Sequence, residues 1–440
     1  MSFSFLLRLL CGAAGASLFL QGTVSGQDTL SLDRAVRLAL SDNPALQALQ
    51  YDKRISANNV DPARAGIGPR IDASHSLYYG YGDATITTAG EQPPLEFTDN
   101  RHGINLRPEA NWVVFDNGRG QARLEQLRQV DATTGLQLVA EQERTVAQVT
   151  RTYLRAAQLR QQVRLAADNI ALTAERLART ERDARYGGAT TLRRLQTQVD
   201  LNQDSVTYRN LQLELDNAKR QLNQLLGRDP EATFALERTP PLDAPLPRQQ
   251  LYARLTANNA DLAVARQRLD LLTTDLDLAE RAGGPTVQLY AAAVYQNATD
   301  NTSFLQEQRY LGAEAGVRTS ISLYDGGLRK LDRQNARLRV EQGRRQLEDT
   351  ELRLTTTFQL QYATYENNLQ QLRFERANLE TFALNYEKTL EDYRLGQVDG
   401  TAVRTAQVNL AEARTRIALR EFGVRQSEVE LLLLSGGLIR

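Results

Sequence analysis

The sequence is poor in the side chains on which most protein chemistry depends. Its 440 residues include one Cys, one Met, one Trp and two His. The Met is the initiator and Cys11 lies in an apolar leader, so the chain beyond the leader has neither. That excludes a disulfide framework, a cysteine nucleophile and a thiolate metal site. No charge dominates either: 53 Lys and Arg balance 53 Asp and Glu. With no basic run, nucleic acid is not expected as a partner. His75 and His102 flank a loop without a Ser/His/Asp set, a phosphate loop or clustered metal ligands beside them. No catalytic, metal-binding or cofactor-binding residue is therefore assigned. Past the leader there is no apolar run near twenty residues, so no transmembrane helix is expected. Proline is scarce and uneven: none occurs between Pro108 and Pro230, and none after Pro285.

Residues 1–26 read as a secretory signal. Leu6, Leu7, Leu9, Leu10 and the stretch from Ala13 to Leu20 form its apolar core, and cleavage is expected near Ser25 or Gly26. That core is too short for a membrane anchor. Leu10, before Cys11, is not the small residue a lipoprotein signal needs, so acylation is not expected.

What the chain does have is an internal repeat. Phe115-Asp116 aligns with Tyr324-Asp325 at an offset of 209 residues, and the same offset pairs Tyr153 with Tyr362, Asn169 with Asn378 and Gln198 with Gln407. It ends on Leu222, Leu225 and Gly227 against Leu431, Leu434 and Gly436. Upstream, Gly68-Pro69 matches Gly284-Pro285 at an offset of 216, so the first copy has the longer loop between these points. Pro240, Pro241, Pro245 and Pro247 predict a stiff, extended linker at 230–250.

In each copy the Pro-free stretch carries apolar residues at three-four spacing. Val139, Val146, Val149, Tyr153, Ala156, Val163, Ala167, Ile170, Ala174 and Leu177 form one seam; Phe358, Tyr362, Tyr365, Leu369, Leu372, Leu379 and Leu390 lie on its counterpart. Such a seam predicts coiled-coil packing. One helix is expected from Asn117 to about Tyr186, roughly 100 Å long. A shorter helix returns after Gly187-Gly188 and after Gly396. Another is predicted from about Ala45 to Ala65 and from Ala260 to Ala282, stacked end to end with the returning one.

Between these helices the period changes to two. Ile71, Ala73, Leu77, Tyr79 and Tyr81, then Ile104, Leu106, Ala110, Trp112 and Val114, alternate with polar residues. So do Val287 to Tyr295 and Leu311 to Leu323 in the second copy. Each segment is as long as a membrane-spanning strand. Polar loops are expected at Asp83 to Asn100 and Asn297 to Gln308, and Tyr78, Tyr79, Tyr81, Trp112 and Tyr310 are candidate interfacial aromatics. Four strands cannot close a barrel, and an open edge cannot face lipid, so other subunits must complete the sheet. Two chains would give eight strands and a filled interior; three would give twelve and a pore. The segments are thus a signal at 1–26, helices at 27–68, a transmembrane hairpin at 69–116, a helical hairpin at 117–229, the linker at 230–250, helices at 251–284, a second transmembrane hairpin at 285–325 and a second helical hairpin from 326 to 440.

The set resembles the TolC-like outer-membrane factor (outer membrane efflux protein) family. It comprises Leu32-x-x-Ala35-x-x-x-Ala39-Leu40-x-x-Asn43-Pro44, Phe115-Asp116-x-Gly118, Tyr324-Asp325-Gly326-Gly327 and Tyr393-Arg394-Leu395-Gly396-Gln397 with Ala406-Gln407. The resemblance implies a mainly α fold with membrane β structure: a homotrimer with a twelve-stranded outer-membrane β-barrel and a long periplasmic α-barrel. It implies passive efflux or type I secretion through a duct in outer-membrane lipid. The implied partners are a periplasmic adaptor (membrane fusion) protein and an inner-membrane pump or ATP-driven exporter. No cofactor and no enzymatic activity are implied. Drug, metal-ion and protein cargo remain open. So does the other reading of the heptads, an extracytoplasmic coiled-coil scaffold or tether without a pore.

The same resemblance places the periplasmic aperture at the helical tips. Tyr393 matches the family's gating tyrosine, but the arginine and two acidic positions that follow fall on Val398, Ala402 and Thr405. In the first copy the usual acidic position falls on Arg193, beside Arg194. Asp183, Asp392 and Asp399 with Arg185, Arg394 and Arg404 remain near Gly187 and Gly396. The expectation is a rearranged Arg/Asp network with a basic mouth; the competing one is solvated arginines on a helix surface, where exposed pairs contribute little.

Overall fold

The computed structural model describes residues 29–87, 90, 93–186, 190–237, 245–300 and 307–439. The expected signal with Cys11, the pair Pro240-Pro241, and Gly187 lie outside the described residues. The first copy runs β1 (Thr29–Leu30), α1 (Leu32–Asp42), α2 (Pro44–Asn59), β2 (Gly68–Ile86), β3 (Leu95–Phe115), α3 (Arg119–Arg185) and α4 (Thr191–Leu225). After β4 (Ala235–Leu236), the second copy repeats the plan with α5 (Arg248–Asn258), α6 (Ala260–Arg281), β5 (Thr286–Asp300), β6 (Glu307–Ser320), α7 (Leu328–Arg394) and α8 (Gly400–Leu434). The fold is a tandem duplicate.

Each passage from strand to long helix is made by the Asp-x-Gly motif. Asn117 and Gly118 have φ of 61° and 75°, and their repeats Gly326 and Gly327 have 70° and 91°. Two successive left-handed residues are tolerated only by Gly and, less well, Asn. The preceding Asp then caps the helix: an Asp116 carboxylate oxygen accepts from Gly120 N–H at 2.6 Å. Asp325 accepts from Gly327 N–H at 3.0 Å, and from Arg329 through its backbone N–H at 3.1 Å and its Nε at 2.6 Å. The Arg329 guanidinium, helped by these backbone donors, holds the Asp325 carboxyl below the usual carboxylate range.

α3 and α7 each span 67 residues, about 100 Å at 1.5 Å per residue. Among the described residues no helix is long and apolar enough to cross a membrane. Beside α3, α2 continues the line of α4, and α6 continues that of α8. The joint is the same in both copies. Asn43 accepts from Ala45 N–H at 2.9 Å, capping α2, while its amide donates to Leu225 O of α4 at 2.9 Å. Asn259 accepts from Leu262 N–H at 2.8 Å, capping α6, and donates to Leu434 O of α8 at 3.0 Å. Gly227 and Gly436 fit there because a Cβ would lie 2.3 Å from Asp42 O and 2.4 Å from Asn258 O. The helical layer is therefore four tracks wide, in the order α2/α4, α3, α6/α8 and α7.

Tyr153, Val149 and Ala156 of the first seam, with Leu159 beside them, are buried against Leu30, Leu222, Leu226 and Leu236. The second seam buries Phe358, Tyr362, Tyr365 and Leu372 with Leu251, Ile417, Val424 and Leu431. Towards the tip the first seam departs from expectation. Ala167 and Ala174 are exposed, and Thr173 and Thr180 take the buried places. Their hydroxyls are satisfied there, Thr173 by Asp204 and Thr180 by the Arg176 carbonyl, so polar residues can occupy the seam.

Three other expectations change. The helix predicted to Ala65 ends at Asn59, since Asn58-Asn59 are weak helix formers and Pro62 has no N–H to give. Part of the linker is a strand: β4 pairs in parallel with β1, and Tyr153 Oη donates to Leu30 O at 3.0 Å beneath them. The hairpin loops are shorter than predicted, because β2 runs to Ile86, β3 begins at Leu95, β5 reaches Asp300 and β6 begins at Glu307. Ladder bonds pair backbone groups whatever the side chain, so polar residues continue the strands beyond an apolar span.

The four long strands form one antiparallel sheet in the order β2-β3-β5-β6. Its edges, β2 and β6, are unpaired within the chain. One face carries Ile71, Leu77, Leu106, Trp112, Leu289, Leu311 and Val317, all at least 38% exposed. The other carries Arg70, Arg107, Glu109, Asn111, Gln288, Glu314 and Arg318 by alternation.

Candidate functional site

The end of the helical layer away from the strands is built from two turns. The α3–α4 turn closes on Thr190, whose hydroxyl accepts from Arg193 N–H at 3.3 Å. In the α7–α8 turn, Gly396 has φ of 77°, Gly396 N–H bonds Tyr393 O at 3.1 Å and Gln397 N–H bonds Asp392 O at 2.9 Å. Asp399 caps α8 by accepting from Thr401 and Ala402 N–H at 3.0 and 2.9 Å. Local helix termination thus accounts for Gly396 and Asp399 and for the Asp392 backbone.

One contact crosses between the copies at the turn. The Arg193 guanidinium on α4 donates to Tyr393 Oη on α7 at 3.0 Å and lies over its ring, 5.3 Å from the centroid. It packs so closely that a Cβ at Gly400 would lie 2.8 Å from its terminal nitrogen. Around this pair Arg179, Asp183, Arg394 and Asp399 border an open hollow of about 670 Å³.

Farther from the turn lies a second, more buried contact. Arg404 on α8 clasps Asp204 on α4 through both terminal nitrogens, at 2.9 and 3.0 Å, with its Nε 3.7 Å from Asp200. Thr173 on α3 donates to the same Asp204 carboxylate at 2.6 Å, and Gln407 donates to Thr173 Oγ1 and Asn169 Oδ1 at 3.0 and 2.7 Å. Arg176 pairs with Asp200. Asp204 is 9% and Arg404 19% exposed at the side chain, so this is a low-dielectric pair. The bond to Asp204 raises the Arg404 pKa, whereas burial lowers that of Arg176 against the pull of Asp200.

The sequence candidates therefore divide. Arg193, Tyr393 and Arg404 are brought into contacts between α4 and the second copy. Asp183, Arg185, Arg194, Asp392 and Arg394 form no side-chain ion pair or hydrogen bond among the described residues. The structure adds Thr173, Arg176, Asp200, Asp204 and Gln407. Of these only Gln407 had a sequence signal, as part of the tip motif; the partners lie 24 to 238 positions apart.

On the sheet, Tyr79, Tyr81 and Trp112 share the apolar face. Tyr78 and Tyr310 fall on the polar face, where their rings lie against the positions of Gly103 and Gly312. His102 pairs with Tyr79 on the apolar side, and among the described residues no group of His, Cys, Asp and Glu fits a metal ion.

The outer membrane efflux protein family model matches residues 35–228 and again 251–437. Protein CyaE of Bordetella pertussis is 26% identical over 433 residues, covering 94% of this chain and 85% of that one. The outer-membrane channel OprN superposes with a TM-score of 0.75 at 19% identity, over 92% of this chain and 90% of that one. The Campylobacter jejuni CmeC outer membrane channel gives 0.75 at 14% identity, over 92% and 85%. With both halves matched, the chain belongs to the outer membrane efflux protein family, whose members are outer-membrane channels extending into the periplasm and not enzymes.

Proposed function

We propose that three copies of this chain close into one passive exit duct for efflux or type I secretion, fed by an inner-membrane pump through a periplasmic adaptor. The observation that carries this is the protomer's pair of unlike edges in both layers. In the sheet these are β2 and β6. In the helical layer they are α2/α4 and α7, and both expose apolar residues at heptad spacing. On α4 these are Leu192, Val199, Val206 and Leu213, each 54–65% exposed. On α7 they include Leu331, Leu338 and Leu352, 53–67% exposed. Unlike edges join head to tail, and a head-to-tail contact closes only as a ring. A ring of two gives eight strands and no lumen for the charged face; a ring of three gives twelve.

At the helical tip we read Arg193–Tyr393 and Arg404–Asp204 as the contacts that hold the first-copy hairpin against the second. Separating the hairpins breaks both, which makes this end the aperture.

The test is reconstitution in planar bilayers. The purified protein is expected to need detergent, to form channels of low conductance, and to conduct more as Arg193→Asp/Arg404→Asp. A protein that leaves membranes with salt alone and forms no channel is a scaffold, and the duct reading fails. Unchanged conductance in the double variant removes only the aperture assignment.

A further inference from the structure

The polar face of the sheet carries a charge pattern that the export reading does not use. Asp72 is registered opposite Glu109, Glu109 opposite Ala292, and Ala292 opposite Glu314. Three carboxylates thus share one row across the four strands, with only buried Ala292, 5% exposed, between two of them. Each is met by an arginine on the same face. Arg70 Nε donates to Asp72 at 3.0 Å. Arg107 Nε donates to Glu109 at 3.1 Å, and its terminal nitrogen reaches over β5 to Glu314. Arg318 lies over the Tyr290 ring, 5.0 Å from its centroid.

The long reach of Arg107 falls where the wall is weakest. The β3–β5 ladder joins the two copies, and it skips Arg107 and Pro108, the latter having no N–H to donate. A chain of side chains takes over there: Gln288 donates to Asn111 at 2.8 Å, Asn111 to Glu109 at 2.9 Å, and Arg107 closes it onto Glu314.

We propose that this balanced row is the ion-selectivity element of the β-barrel lumen, set by Asp72, Glu109 and Glu314 and neutralised by Arg70, Arg107 and Arg318. The inference rests on the duct reading, which turns this face inward and repeats the row around the ring. Acid and base cancel copy by copy, so the barrel favours neither cations nor anions among small solutes. Removing the arginines leaves the carboxylates as a ring in one row, and removing the carboxylates leaves the arginines in the rows on either side of it. Either field reaches across the lumen only at low salt, since the screening length is about 10 Å at 0.1 M and about 3 Å at 1 M.

The test is the reversal potential of reconstituted channels under a potassium chloride gradient. Wild type is expected near zero selectivity. Arg107→Gln/Arg318→Gln is expected to shift several-fold towards potassium near 0.1 M and to lose the shift near 1 M. Glu109→Gln/Glu314→Gln is expected to shift towards chloride, while Arg318→Lys, keeping the charge, stays at wild type. Should the arginine double variant fail to assemble, Arg318→Gln alone carries the same prediction, as its contact is a ring and not the ladder. Channels that conduct while both charge-removing sets keep the wild-type reversal potential overturn the proposal and leave the duct intact. Absence of any wild-type channel overturns the duct and this inference with it.

Discussion

Replacing Asn259 by alanine removes two contacts with one side chain. The amide oxygen caps α6 through Leu262 N–H, and the amide nitrogen gives the carbonyl of Leu434, at the end of α8, its partner. Losing an N-cap costs about 1 kcal/mol. Leaving a half-buried carbonyl without a donor costs about 1 kcal/mol more, the low end of the range because water can reach it. The joint is thus expected to open with about 2 kcal/mol less work, which is about 30-fold in the local opening equilibrium. Asn259→Asp separates the halves: it keeps the capping oxygen but turns the donor into an acceptor facing Leu434 O, so about 1 kcal/mol is expected from the lost donor alone. Hydrogen exchange followed by mass spectrometry, on peptides ending α8 and beginning α6, reads both. Amides of both helices are expected to exchange faster in the alanine variant. In the aspartate variant the effect is concentrated at the α8 end. Wild-type exchange in both variants would refute the view that this joint fuses two helices into one track. The duplicated Asn43 predicts the same pattern at α4 and α2.

Asp204→Ala leaves Arg404 and Thr173 without their shared partner, and a loss of about 2–3 kcal/mol is expected, discounted for the partial exposure of Arg404; thermal unfolding in detergent measures it, and an unchanged midpoint contradicts it. Gly327→Ala forces a side chain into φ of 91° at the β6–α7 junction and is expected to cost about 1–2 kcal/mol in the same assay, whereas Asn117→Gly at the sister junction relieves strain but gives up the bond from the Asn117 amide to Arg281 O, so a net change under about 1 kcal/mol is expected. Burial holds the Tyr153, Tyr365 and Tyr386 hydroxyls above the usual tyrosine range. Above about pH 10 the unfolded chain therefore loses protons that the folded chain keeps, and stability is expected to fall as pH rises through that region. Tyr153→Phe is expected to make that alkaline fall shallower, and equal slopes in a pH series of melting curves contradict the assignment.

The features most legible in the sequence were periodic or repeated. The seams around Tyr153 and Tyr362, the period-2 strands and the two Asp-x-Gly junctions are local patterns, each written twice. The ends of elements were less legible. Polar residues such as Thr98, Asp99 and Asn297 look like loop, yet they sit in ladders because the partner strand satisfies their backbone. The tip was legible only in part. Tyr393, Arg193 and Arg404 stand at recognisable positions, but Asp204 is one carboxylate among many on a solvated helix. Only the side chains of Arg404 on α8 and Thr173 on α3, which both reach it, single it out. Tyr78 and Tyr310 show the same limit: their type suits a membrane interface, but the strand register decides the face, and it placed both with the charges.

The duct depends on the number of chains that close the ring. Native mass spectrometry of the detergent-extracted protein tests this most directly. Three chains per particle are expected, with Val199→Glu on α4 or Leu352→Glu on α7 driving the particle towards single chains. A wild-type particle of one or two chains, or a three-chain particle indifferent to both edge variants, would contradict it.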